Sequence, residues 1–247
     1  VREIRGTLAL IGGGEWVGAG PSLLAELARR AWAPDGPAAE TGAREVTLLP
    51  TAAAFEHPDR VIARARAVLE PLGVGVRAVP VIHRAEASAP AHVEAVRRAR
   101  FLHVADGSPL HLRSVLKGSP LLEAMLDAYR QGALVAASGA GASVLCDPMV
   151  DPRGGAYTVG LGFVEGLAAF PYHGTAADHL RARSLDLLPA GAHLVGIDEA
   201  TALVREPHGR WTALGAGRVT VYGADDTGAV VELGSFGADS EISILKM

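Results

Sequence analysis

The stretch Ala133-Leu134-Val135-Ala136-Ala137-Ser138-Gly139-Ala140-Gly141-Ala142 reads as a buried strand that turns sharply into a helix. Small residues on both sides of such a turn let the outgoing helix pack against the strand that feeds it, as in a nucleophile elbow. The residue at the tip of an elbow takes a strained, positive φ. Gly139 meets that demand at almost no steric cost, yet it offers neither hydroxyl nor thiol. The stretch thus predicts an α/β sheet with an elbow at its carboxyl edge, whose tip, Gly139, carries no reactive atom.

The flanking sequence agrees with an α/β sheet. Short apolar runs at 8–11, 46–49, 74–81, 101–105 and 134–137 are bounded by turn residues, as expected of strands buried on both faces. Between them Leu23, Leu24, Leu27 and Ala31, and then Val61, Ile62, Ala65, Val68 and Leu69, form apolar stripes at helical spacing. Ser108-Pro109 and Ser119-Pro120 each supply an N-cap acceptor and a proline at the first helical position, while Gly118 and Gly132 suit the left-handed residue past each helix end. Thr175 with Asp178 resembles a capping pair opening a helix to about Leu188. From 193 onward the period changes to short strands at 193–197, 201–204, 218–222 and 230–233, which predicts a small C-terminal β extension on one domain spanning 1–247. The segment 33–43, rich in Pro, Gly and Ala, reads as a loop.

Composition narrows the function classes. The chain has 247 residues, 49% of them hydrophobic, enough for a sizeable core, and a formal net charge of -4. No Lys/Arg block builds the positive field that nucleic acid requires. A lone cysteine, Cys146, excludes an intramolecular disulfide and a Cys-based zinc cluster, and the nine histidines show no metal-ligand spacing. No segment approaches the roughly 20 apolar residues of a membrane span. The expectation is a cytoplasmic protein without metal or cofactor, acting on a small peptide or amino-acid-like ligand, with a homodimer as one candidate assembly.

Several residues are candidates for the site. Gly13, Gly14 and Glu15 follow the first strand, where a glycine-rich loop brings backbone N–H groups to a ligand or floors a pocket. Ser138 stands one residue before the elbow tip; it reads as a hydrogen-bonding turn serine first and as a displaced nucleophile second. His173, between an apolar run and a helix, is the candidate base. Asp147 or Asp151 is its candidate acid partner and Arg153 a candidate carboxylate clamp, although two Asp-Pro pairs are also ordinary turn chemistry. Cys146, among Val144, Leu145 and Met149, reads as a buried small hydrophobe.

With the elbow, Gly12-Gly13-Gly14-Glu15 and the His173 segment in view, the chain resembles the dipeptidase E and cyanophycinase family of serine peptidases. Leu48-Leu49-Pro50-Thr51-Ala52-Ala53, Arg84-Ala85-Glu86-Ala87 and Val195-Gly196-Ile197-Asp198-Glu199-Ala200-Thr201-Ala202-Leu203-Val204 look like family segments as well. The resemblance implies a three-layer α/β/α fold with a mostly parallel central sheet, like class I glutamine amidotransferases. It also implies a Ser-His dyad or triad that cleaves short peptides or cyanophycin-like isopeptides. The family's Gly-(Thr/Ser)-Ser-Ala-Gly-Ala motif falls on 137–142, with Gly139 in the serine's place and Ala140 beside it. Its Gly-Gly-(Asn/Asp)-Gln segment, which supplies an oxyanion donor, falls on Asp106, Gly107, Ser108 and Pro109, of which Gly107 retains the motif's glycine.

Both departures weaken covalent chemistry. A carboxylate facing the pocket at Asp106 opposes the charge of a tetrahedral intermediate, where loss of one donor alone costs about 3–4 kcal/mol. The first reading is a degenerate peptidase homologue that keeps its pocket. The alternatives are an active hydrolase using Ser138 or a water with His173, and a non-catalytic interaction protein.

Overall fold

The computed structural model describes residues 4–33, 36 and 44–245, so most of the loop expected over 33–43 lies outside the described residues. In chain order the strands are β1 Thr7–Ile11, β2 Glu45–Leu49, β3 Gly75–Ala78, β4 Phe101–Val104, β5 Leu134–Ser138, β6 Cys146–Asp147, β7 Met149–Val150, β8 Tyr157–Thr158, β9 Val164–Glu165, β10 Leu167–Pro171, β11 His193–Ile197, β12 Thr201–Arg205, β13 Trp211–Gly215, β14 Val219–Ala224 and β15 Val230–Phe236. The helices are α1 Gly20–Ala31, α2 Pro58–Leu69, α3 Pro90–Arg97, α4 Pro109–Leu116, α5 Pro120–Arg130, α6 Ala140–Leu145 and α7 Asp178–Asp186.

A seven-stranded sheet runs in the order β13-β12-β1-β5-β4-β2-β3. Its five N-terminal strands are parallel, and β12 and β13 join antiparallel beside β1. Side chains alternate across it with the period of two that a pleated strand imposes. Leu8 and Leu10 of β1, and Val135 and Ala137 of β5, face the core shared with α3, α4, α5 and α6. Ala9 and Ile11, with Leu134 and Ala136, face α1. Two buried faces explain why the strands read as continuous apolar runs. Each fully buried Leu or Val adds about 1.5–3 kcal/mol to folding.

The strand-rich end serves two sheets. While β12 and β13 extend the first, β11, β14 and β15 form with β10, β6 and β9 a second sheet in the order β15-β14-β11-β10-β6-β9. Helix α7 covers the outer face of that second sheet through Leu180 and Leu185, which pack on Ala168, Phe170 and Leu194.

Local signals explain most helix ends. Ser108 accepts from the His111 N–H at 3.4 Å and Ser119 from the Leu122 N–H at 3.2 Å, each with proline directly after it. The expected Thr175 cap is corrected: α7 starts from Ala177 without a side-chain cap, and the Thr175 hydroxyl donates instead to the Tyr172 carbonyl and to Glu199. Helix α3 and strand β13 were not read from the sequence.

Candidate functional site

Strand β5 is buried along its whole length and ends at Gly139, whose φ of 49° and ψ of -108° form the turn into α6. The turn is pinned to the first strand by the Gly139 N–H, which donates to the Ile11 carbonyl at 2.9 Å. Gly141 is small for a packing reason, since a Cβ there would press on Val104 at 3.2 Å. Residue 139 therefore stands at the apex of an elbow at the carboxyl edge of a parallel sheet, where an attacking side chain would project.

That space is filled by a carboxylate. Asp106, just beyond β4, places Oδ1 2.7 Å from the Gly107 N–H and 2.7 Å from the Ala140 N–H, and both donate to it. The Tyr172 hydroxyl donates to Oδ2. A Cβ added at Gly139 would overlap the Asp106 carboxyl group, well inside the 3.0 Å that real Cβ atoms respect. Two backbone N–H groups converging beyond an elbow are the arrangement that stabilises a developing oxyanion. Here both donate to the Asp106 carboxyl group instead. Burial pushes the Asp106 carboxyl up from its ordinary value, and the charge of Glu15 adds to this, against the opposing pull of the three donors. Burial and Asp106 likewise push the Tyr172 phenol up, so it stays a donor.

Beside the elbow opens a cavity of about 250 Å³. Asp106, Gly107 and Ala140 line one end, and Val150, Phe170 and Leu180 supply apolar wall. Asp151 lines it too, but pairs with Arg153 at 2.5 Å and 3.0 Å rather than with a histidine. The Arg153 side chain is largely exposed. Ser108 caps α4.

The loop after β1 supports this site from behind. Gly13 has a φ of 103°, and a Cβ there would enter the Tyr172 ring, so the glycine lets that ring close over the loop. Glu15 is only 1% exposed and cannot reach a ligand in the cavity. It accepts from the Ser138 hydroxyl at 2.5 Å, and Ser138 is itself completely buried. His103 on β4 lies 3.9 Å from Glu15, too far for a hydrogen bond. Burial works to raise the Glu15 carboxyl, but His103 and Ser138 outweigh it and hold the group below its ordinary value. Ser138 thus points to the α1 and α2 side of the sheet, and the elbow tip points to the other.

His173 leaves the end of β10 next to Tyr172 and turns the opposite way. Its Nε2 meets the Tyr222 hydroxyl at 3.0 Å and its Nδ1 lies 3.6 Å from Asp198. Burial lowers the His173 pKa, and the attraction of Asp198 offsets this only in part. The acid beside His173 is therefore Asp198, not Asp147 or Asp151, and neither ring nitrogen is directed at Asp106. Asp198 and Tyr172 join the site without a local sequence signal of that role, though Asp198 sits in the segment that carried the family likeness. Burial pushes the Cys146 thiol up to about 12, which leaves it an unreactive core residue. Among the described residues no group of three His, Cys, Asp or Glu side chains is placed to share a metal ion, and no helix is long and apolar enough to cross a membrane.

Converging backbone donors beyond a strand-to-helix elbow are the architecture used by hydrolases that act through an elbow nucleophile, and the chain shares that architecture. The pattern of Peptidase family S51 matches residues 37–209, and the chain belongs to that family. It is 26% identical to Peptidase E of Shigella sonnei and of Escherichia coli, over 75% of this chain and 80% of each relative. Its fold matches the crystal structure of a peptidase from an acI-B1 Actinobacterium with a TM-score of 0.82, 26% identity and coverage of 98% of both chains.

Proposed function

We propose that this chain is a Peptidase E-like homologue that has lost covalent catalysis and keeps its cleft for a small peptide or amino-acid-like ligand. One observation carries the reading: the Asp106 carboxylate fills the space in front of Gly139 and takes up the N–H groups of both Gly107 and Ala140. An acyl-enzyme requires an oxygen or sulfur at the apex and free donors for the oxyanion that forms; this site has neither. The burial of Ser138 and its bond to Glu15 count against its use as a substitute nucleophile. The orientation of His173 toward Asp198 and Tyr222 counts against its activating a water at the elbow.

A serine-directed fluorophosphonate probe tests this directly. The native chain is expected to remain unlabelled under conditions that label a working peptidase of the family. Labelling that disappears in Ser138→Ala would overturn the reading in favour of a working hydrolase.

A further inference from the structure

The cavity beside the elbow has a polarity opposite to the one its donors would create. Its walls are mainly carbon, from Val150, Phe170, Leu180 and three prolines, Pro109, Pro152 and Pro171. Two carboxylates line it, and none of the described lining residues is Lys, Arg or His. Asp151 is neutralised by Arg153. Asp106 forms no ion pair with a Lys, Arg or His among the described residues, and its partners are two N–H groups and one phenol. A carboxylate has about four lone-pair positions. With two taken on Oδ1 and one on Oδ2, Oδ2 keeps one acceptor position unused.

We propose that this cleft binds the protonated amine of a small apolar ligand, such as the amino terminus of a short peptide whose first side chain is aliphatic or aromatic. The ammonium donates to Asp106 Oδ2, and the carbon frame lies against Phe170, Val150 and Leu180. A desolvated carboxylate in an apolar wall gains most from a cation and penalises a neutral or anionic isostere. The cavity falls just below the roughly 300–1,000 Å³ of ordinary ligand sites, which suits one amino-acid residue rather than a long peptide. This inference rests on the proposed loss of covalent catalysis, since it uses Asp106 where a peptidase needs empty donors.

The test is a ligand series titrated into the native chain and followed by heteronuclear NMR at neutral pH. The cationic arm is leucinamide, phenethylamine and leucylglycinamide; the neutral arm is 4-methylpentanamide; the anionic arm is 4-methylpentanoate. The amines are expected to bind about tenfold or more tightly than the neutral amide, with shifts at Gly107 and Ala140, and the carboxylate not at all. Asp106→Asn, its fold checked in the same spectra, is expected to reduce the amines to the level of the amide. Equal or tighter binding of the amide or carboxylate, no binding of any amine, or an amine preference that survives in the folded Asp106→Asn chain would overturn the inference. The native series decides alone if that variant does not fold. Fluorophosphonate labelling separates the two readings, because it reports covalent chemistry whatever the order of amine affinities.

Discussion

Tyr172 and His173 are neighbours in the chain, yet they serve two polar centres built in different ways. Tyr172 turns to the elbow, where a carboxylate is held by backbone N–H groups and a phenol. His173 turns to the second sheet, where an imidazole sits between Asp198 and Tyr222. The elbow centre keeps the backbone geometry of a hydrolase and lacks the reactive atom. The second keeps a histidine with its acid, and the hydroxyl beside that histidine is the Tyr222 phenol, whose pKa burial pushes up. The proposed loss of covalent catalysis thus rests on a separation of parts as well as on the glycine at the elbow apex.

The largest effect that can break this contrast is expected at residue 139. Gly139→Ser forces a Cβ into Asp106 at a positive φ, and should destabilise the chain by more than about 3 kcal/mol in urea unfolding. Adding Asp106→Gly removes the overlap and should recover at least about 2 kcal/mol, a coupling seen only for residues in contact. Additive losses would show that the carboxylate does not occupy the apex.

Phenol deletions compare the two centres at equal chemistry. Tyr172→Phe removes a hydrogen bond to a charged group and should cost about 1.5–3 kcal/mol. Tyr222→Phe removes one to a neutral ring and should cost about 0.5–1.5 kcal/mol. A reversed order of the two denaturation midpoints would contradict an ionised Asp106 beside Tyr172.

The smallest effects, and the sharpest in sign, lie in pH dependence. Burial raises the Asp106 pKa above 3.8, so in the interval just above that value the folded chain binds more protons than the unfolded one. Stability due to Asp106 therefore falls as pH rises through the interval. His173 behaves oppositely: burial lowers its pKa below 6.5, so the unfolded chain binds more protons in the interval beneath, and stability due to His173 falls as pH drops. Urea midpoints from about pH 4 to 7 should show the native chain gaining on Asp106→Asn toward acid and losing to His173→Gln. Slopes of the same sign would remove the distinction between the centres.

The scaffold was far more legible in the sequence than the side-chain meetings. Strands β1, β2, β4 and β5 stood out because burial on both faces leaves uninterrupted apolar runs, and α4 and α5 because Ser-Pro and Gly punctuate both ends. The turn at Gly139 was legible because small residues crowd a strand-to-helix junction. Strand β13 gave a weaker signal, since Thr212 and the glycine at its end interrupt the apolar pattern of Trp211, Ala213 and Leu214. The partners of the site residues left no local trace. Ser138 meets Glu15 across 123 positions and Tyr172 meets Asp106 across 66. Asp198 reaches His173 because β11 pairs parallel with β10 in the second sheet. Such meetings are set by strand order, which no window of sequence encodes.

The glycine loop after β1 is tied to distant chain: the Gly12 N–H donates to the Thr201 carbonyl, the Ala200 N–H to the Gly13 carbonyl, and the Tyr172 N–H to the Gly12 carbonyl. During synthesis, β1 emerges early but one of its edges waits for β12, nearly two hundred residues later. A ribosome-tethered chain halted before residue 193 therefore carries an open strand edge and an unfastened loop, a state open to mispairing.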